Sequence, residues 1–540
     1  MILLNVQDLG STRGKREKRV KDEYFKNVHR IPKMLGIEQK NFGAYYTDES
    51  IVEYVINKIK PNRNACILDP ACGCGSFIIP LYLLDNKKKK PPIRLYGVDI
   101  DNKAIRFTIN LLTEFSKDLT REDIGNYIML GDFLTSPDTL QSYSESWNTK
   151  LSDISKKGGF DIIVGNPPFN IEDISLKKPF FKEQIHRELA TKSKNMPIYF
   201  ILRSLELLKP SGVIAFVLPK TLLYVAKYRE FRMYLLHNYK LIRITEIGLK
   251  FKGVRGEQII IFIKNERPKE NSEIEFETIK EKDNKKNEEV FKIKQRYFVD
   301  MPSLPTLPNV STYNILKKLS NNFSKLGDLK GLEIFRGVPM SDGNADIVPF
   351  EISNTKISNA YARGRDIVKL HLRSLVIPKK MVHDEHKLLK IKRPKIIIQN
   401  IFSSESGIIS YLDTNGLATS ETVTNIVIED LNKLAYVYGL LNSKLLNFYL
   451  CSVVFSGSKL TMHLDGYYLK QLPLVWDKSK KEIDAITEIA KSSLQSPIED
   501  TKETLRKLDK YVYGLYGIDI EEQKTIDAIL SKTLSRKSMW

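Results

Sequence analysis

Residues 68–77 read LDPACGCGSF. The stretch follows an apolar run at 66–68 that reads as a short buried strand ending at Asp69. It leads into a helical patch over 77–84. Small residues at 71, 73, 75 and 76 permit a tight turn and close approach of a ligand to backbone. Gly73 and Gly75 fit G-x-G, but position 78 is Ile, so the third glycine of a dinucleotide fingerprint is missing. No GKS or GKT follows, which excludes a nucleoside-triphosphate loop. A strand, a glycine turn and a helix make up the opening unit of an α/β fold.

The same alternation continues downstream. Residues 93–98 read as a strand ending at Asp99, and 104–115 have helical spacing. Residues 127–130 form a strand ending at Asp132, and 160–164 a strand ending at Asn166. Residues 202–208 are helical, and VIAFVL (213–218) and IIIFI (259–263) are buried strands. This order predicts an α/β, Rossmann-like parallel sheet with helices on both faces. Ligands bind such sheets at the carboxyl edge of the strands. Asp99 is placed there to accept from ribose hydroxyls, and Asp132 from an adenine amino group, with Ile100 and Phe133 flanking the ring. None of these carboxylates has a cationic neighbour in its motif. That pattern suits a cationic ligand without phosphates, such as S-adenosylmethionine, better than a dinucleotide. GAYYT (43–47) is a candidate to fold back on the methionine end.

Residues 161–170, DIIVGNPPFN, stop a strand with a rigid corner. Prolines have no N–H to donate and cannot continue a ladder. The Asn166 side-chain oxygen and the Pro167 carbonyl are two acceptors, and Phe169 offers a stacking face. Two fixed acceptors suit an NH2 group and draw its lone pair toward a methyl donor. The reaction class is direct methyl transfer to an amino nitrogen. Methylation at cytosine C5 needs a cysteine nucleophile after a proline, and none of the four cysteines follows one.

At 540 residues the chain has room for two or three domains. A formal net charge of +20 favours a polyanionic partner, nucleic acid first. No run of about 18 apolar residues suggests a membrane span, and the N-terminus has the wrong order of charge and apolar residues for a secretory signal. Four scattered cysteines suggest a reducing, cytoplasmic setting. The boundaries read as a basic N-terminal arm at 1–40, a catalytic region at 41–300 with a charged excursion or linker at 265–295, a second region at 301–480, and a helical segment at 481–540. His383 and His386 in HDEH read as surface residues, and no metal site is expected.

GAYYT, DPACGCGSF, GVDID, GDF and NPPF, in this order, resemble the gamma-class N6-adenine DNA methyltransferases of restriction–modification systems. The similarity covers most of residues 41–264. It implies that Thr47, Asp69, Ala71 and Gly73 touch the methionine moiety of S-adenosylmethionine. It implies that Asp99 binds ribose, Ile100 the adenine face, and Asp132 and Phe133 the cofactor adenine. Asn166, Pro167, Pro168 and Phe169 then form the catalytic corner, and EIGLKFKGV (246–254) nominates Phe251 for the other face of a flipped target adenine. Asp48 stands where the family usually has proline, and Phe169 where tyrosine is commoner. FRGVP (335–339), GRD (364–366), RPKIIIQN (393–400), LNSKLLNFYL (441–450) and QLPL (471–474) resemble the target-recognition domain of such enzymes. YVYGLYGI (511–518) resembles their C-terminal helical piece. The resemblance implies double-stranded DNA as the partner, a monomer on DNA, no membrane, and a separately encoded restriction endonuclease as a candidate companion. Three alternatives stay open on sequence. They are an amino-methyltransferase for RNA or protein glutamine, a bifunctional enzyme that also cleaves DNA, and a non-catalytic DNA-binding relic.

Overall fold

The computed structural model describes residues 21–22, 24–27, 30–35, 47–62, 64–85, 94–116, 119–135, 145–169, 181–248, 256–279, 289–306, 309–339, 346–349, 360–377, 390–403, 406–458, 462–476 and 480–533. The chain divides into two compact units, Met1–Val299 and Asp300–Trp540.

The first unit is built on a nine-stranded sheet. Its strands are β1 (Cys66–Asp69), β2 (Arg94–Asp99), β3 (Ile128–Leu130), β4 (Phe160–Gly165), β5 (Leu208–Pro219), β6 (Lys240–Gly248), β7 (Gln258–Lys264), β8 (Glu273–Thr278) and β9 (Glu289–Lys294). They lie in the order β3-β2-β1-β4-β5-β7-β6-β8-β9. Strands β1 to β5 pair in parallel, as the alternating sequence predicts. The sheet as a whole is mixed. The IIIFI strand, β7, runs antiparallel to both β5 and β6. Apolar content alone marks a buried strand without giving its direction.

The charged stretch 265–295 departs further from expectation. Part of it pairs as the antiparallel strands β8 and β9, which close one end of the sheet. In EIEFET, Ile274 and Phe276 alternate with glutamates and are buried. Glu277 is buried as well, but it is matched by Arg243 on β6 and by the Tyr54 hydroxyl at 2.7 Å. Charge density hid a period-2 pattern.

Helix α1 (Glu49–Ile59), α2 (Ile78–Asp85) and α3 (Asn102–Phe115) contribute to one hydrophobic core against the sheet. Its members include Val52, Ile79 and Leu112 from the helices and Val164 and Ile260 from the strands. Tyr24 and Phe25, from the basic N-terminal stretch, are buried in the same core. Helix α4 (Gln184–Ser193), α5 (Met196–Leu207) and α6 (Arg229–Asn238) complete the unit. His186 on α4 bridges Glu206 on α5 and Tyr234 on α6, each at 2.9 Å. That bridge satisfies a fully buried imidazole and locks the three helices together.

The second unit holds two four-stranded sheets. One is antiparallel throughout and runs Glu333–Arg336, Val423–Val427, Lys395–Gln399, Ser410–Asp413. The other runs Asp346–Pro349, Ser374–Ile377, Tyr361–Ala362, Ala418–Thr419. The helices Leu431–Asn442, Lys444–Tyr449, Lys480–Ser492, Thr501–Tyr516 and Ile520–Thr533 belong to this unit. The tail after 480 is therefore joined to the preceding region in one compact body. Among the described residues, no helix is long and apolar enough to cross a membrane.

Candidate active site

The glycine turn sits between β1 and α2. Gly73 and Gly75 adopt φ values of +51° and +90°, a region that residues with a Cβ avoid. A Cβ on Gly75 would also lie 2.9 Å from Ile79 Cδ1. The turn is anchored from several sides. The Thr108 hydroxyl donates to the Gly73 carbonyl at 3.0 Å, and the Tyr24 hydroxyl donates to the Cys74 carbonyl at 3.0 Å. Cys72 N–H donates to the Val98 carbonyl at 3.0 Å, which ties the loop to β2. Cys72 and Cys74 are buried packing residues.

Asp99 ends β2 and is held by two backbone donors. Gly73 N–H reaches one carboxylate oxygen at 2.8 Å, and Asp101 N–H reaches the other at 2.9 Å. The N-cap of α3 is Asp101, which accepts from Lys103 and Ala104 N–H groups. Asp99 therefore faces the turn and is not spent on the helix. Asp132, beyond β3, accepts from Leu134 N–H at 2.9 Å, which fixes the loop that carries Phe133. Phe133 stacks on Phe200 of α5 with centroids 5.2 Å apart and planes 29° apart.

These pieces converge on one cleft at the carboxyl edge of β1 to β4. Thr47, Asp69, Ala71, Gly73, Asp99 and Ile100 line it. Asp132, Phe133, Asn166 and Pro168 line it too. Ten of the residues nominated from sequence are thus brought together. Pro167 is buried and outside the lining, and Phe169 is half-buried and packs against the hydrophobic core. Phe251 and residues 43–46 lie outside the described residues, as do His383 and His386. Among the described residues, no cluster of three or more His, Cys, Asp or Glu is arranged to hold a metal.

Sequence reading missed Met196 and Phe200, which complete the cleft from helix α5. They lie on a helix that precedes β5, whereas the nominated residues other than Thr47 end or follow a strand. The available signal was the start of α5, where Asn195 caps the helix by accepting from Ile198 N–H and Pro197 occupies its first turn.

Among the described residues that line the cleft, Asp69, Asp99, Asp101 and Asp132 are acidic and none is Lys, Arg or His. Burial pushes the Asp69 carboxyl up to about 8 and the Asp99 carboxyl up to about 6. Backbone N–H bonds from Ala71 and from Asp101 and Gly73 oppose the rise without cancelling it. Gly165 makes the Asp69 position available, because a Cβ there would stand 2.8 Å from an Asp69 oxygen. Buried carboxylates of this kind are costly until a cation neutralises them. The donor set therefore fits a cationic group carrying ribose and adenine.

A test follows from the sign of these shifts. A carboxyl raised above its unfolded value of about 3.9 favours folding fully at low pH. That contribution is lost as pH climbs through the folded value, here about 8 for Asp69. Thermal unfolding of the ligand-free chain between pH 5 and pH 9 should show Asp69→Asn gaining on the wild type as pH rises. The expected change in the gap is several degrees. A gap that stays constant across that range would show that Asp69 is already ionised in the native state.

The strand order, the glycine turn after β1 and the acidic residues after β2 and β3 place the fold in the Rossmann-like methyltransferase class. Residues 32–303 match the N-6 DNA Methylase family, and the chain belongs to that family. Residues 344–474 match the TaqI-like C-terminal specificity domain. The chain is 27% identical over 265 residues to the type II methyltransferase M.VspI of Vibrio sp., covering 48% of this chain and 55% of that one. It is 24% identical over 263 residues to the type II restriction enzyme and methyltransferase RM.Eco57I of Escherichia coli, covering 40% of this chain and 26% of that one. The chain thus spans about half or less of the length of these relatives. The type IIL restriction-modification enzyme MmeI, solved in complex with DNA, shares the fold with a TM-score of 0.53 at 14% identity, over 90% of this chain and 76% of that one.

Proposed function

We propose that the chain transfers the methyl group of S-adenosylmethionine to the N6 amino group of a flipped-out adenine at a specific site in duplex DNA, within a restriction–modification system. The observation that carries this reading is the placement of Asn166 and Pro168 in the same cleft as Asp69, Asp99 and Asp132. One wall suits a cationic nucleoside and the other suits a planar amino group.

S-adenosylmethionine, when bound, supplies an electrophilic methyl group. Asp99 and Asp132 would hold its ribose and adenine, Ile100 and Phe133 would flank the ring, and Thr47, Asp69, Ala71 and Gly73 would hold the methionine end. On the substrate side, the Asn166 oxygen and the Pro167 carbonyl accept the two amino hydrogens. Positive charge grows on the nitrogen as it attacks, so both bonds strengthen toward the transition state. The prolines fix the backbone of the corner, so the acceptors need no reordering. Phe169 and Phe251 are assigned to the two faces of the flipped base.

The net charge of +20 and the match to a specificity domain support duplex DNA as substrate over RNA or a protein amide. This reading places the enzyme in the cytoplasm, acting as a monomer on DNA beside a separately encoded nuclease for the same site. The test is incubation of the full chain with methyl-labelled S-adenosylmethionine and, in parallel, duplex DNA, RNA and a glutamine-bearing protein. Label is expected in DNA alone, recovered as N6-methyladenine. Label only in RNA or protein would overturn the substrate assignment.

A further inference from the structure

The second unit contains a pocket of about 580 Å3 whose charge is opposite to that of the first. It lies at one edge of the antiparallel sheet, where Arg336 and Gln399 end their strands and residues 420–422 lead into Val423–Val427. Arg336, Arg363, Arg365 and His463 line it, with Glu421 as the acidic member.

Two turns build its wall. In the turn Gly364–Asp366, the buried Arg363 guanidinium grips the Asp366 carboxylate twice, at 2.8 and 3.0 Å. The Ser374 hydroxyl donates to the same carboxylate at 2.8 Å. In the turn at 420–422, the Ser420 and Thr422 hydroxyls lie 2.7 Å apart. The turns are joined, because Gly364 N–H donates to Thr422 Oγ1 at 2.9 Å and Ser420 N–H donates to the Ala362 carbonyl at 3.0 Å. Arg336 serves the frame too. With the Asn400 amide turned so that its NH2 donates to the Leu464 carbonyl at 3.2 Å, its oxygen accepts from Arg336 at 3.1 Å. Arg363 is a buried support and Arg336 an exposed one, and Arg365 and Glu421 are likewise exposed on the pocket wall, one on each joined turn.

We infer that this pocket reads base edges in the DNA site, with Arg365 recognising a guanine and Glu421 its paired cytosine. The inference rests on the reading of the chain as a sequence-specific DNA methyltransferase. An arginine fork matches guanine O6 and N7, and a carboxylate accepts from cytosine N4. A pocket made for phosphate would exclude Glu421, whose charge repels it. Gln399, half-exposed on the same wall, adds an amide suited to adenine N6 and N7. The joined turns fix the backbones that carry Arg365 and Glu421 relative to one another, which discrimination between bases requires.

Wild-type, Arg365→Ala and Glu421→Ala chains should be incubated with a genomic DNA library and S-adenosylmethionine, and the methylated adenines mapped by sequencing. The wild-type motif is expected to contain a G·C pair that Arg365→Ala no longer demands. The preference for that pair in kcat/KM is expected to fall about 5- to 150-fold. Glu421→Ala is expected to relax the same position. An unchanged motif in Arg365→Ala, with methylation weakened uniformly and a shallower salt dependence, would mark Arg365 as a phosphate contact and overturn the inference. A wild-type motif without any G·C pair overturns it equally. A wild-type chain that leaves no N6-methyladenine in any DNA overturns the functional reading itself, and this proposal with it.

Discussion

Asn166→Ala is expected to lower the rate of methyl transfer to DNA by about 1,000-fold, the upper range seen when one electrostatic contact to a transition state is removed. The substitution deletes an acceptor that matters most as the amino nitrogen becomes positive. Little ground-state binding is lost, so the fall belongs in kcat and not in KM. Cofactor and DNA dissociation constants should stay within a few-fold, because Asp69, Asp99 and Asp132 and the second unit are untouched. Asn166→Asp keeps acceptor oxygens at the same place and should retain more activity than the alanine variant. Single-turnover rates with saturating cofactor and DNA make the comparison. Near-normal transfer by Asn166→Ala would remove this residue from the mechanism.

Asp99→Ala should act on the other substrate. Its carboxylate accepts from Gly73 N–H at 2.8 Å and from Asp101 N–H at 2.9 Å, so it holds the glycine turn against the start of α3. Removal leaves both donors without this acceptor and deletes the acceptor assigned to the ribose. Each lost charge-assisted bond is worth about 1.5–3 kcal/mol, so cofactor affinity should fall about 100-fold. The reacting atoms are elsewhere, so kcat at saturating cofactor should fall much less than kcat/KM. Asp99→Asn keeps one acceptor and should lie between the two. Calorimetric titration with S-adenosylmethionine reads the affinity, and equal losses in kcat and kcat/KM would place Asp99 in the chemical step instead.

The first unit was legible where sequence and topology are local to each other. Each acidic or amide residue of the cleft ends a parallel strand or follows one by one or two positions, so strand ends in sequence become neighbours at one sheet edge. Met196 and Phe200 were not legible because they sit within helix α5, upstream of β5, and reach the cleft only through the fold. The hairpin of β8 and β9 was hidden by glutamates on alternate positions, and the partners of Glu277, Arg243 and Tyr54 among them, are pairings that only the fold creates. The direction of β7 was equally out of reach, since IIIFI reads the same in either sense. In the second unit, the short motifs GRD and RPKIIIQN were visible, yet nothing in their spacing brings Gly364 to Thr422. Such contacts join residues tens of positions apart through two sheets.

Tyr24 gives the N-terminal stretch a significance that its basic composition conceals. Its ring is fully buried and its hydroxyl closes on the Cys74 carbonyl inside the glycine turn. A chain trimmed to begin at residue 41 would lose a buried tyrosine, at about 3–5 kcal/mol for an aromatic of that size. It would also lose the prop behind the glycine turn. Tyr24, with its buried neighbours Phe25 and Ile31, is therefore a structural wedge behind the glycine turn, and its removal should be felt as weaker cofactor retention before it is felt as weaker grip on DNA.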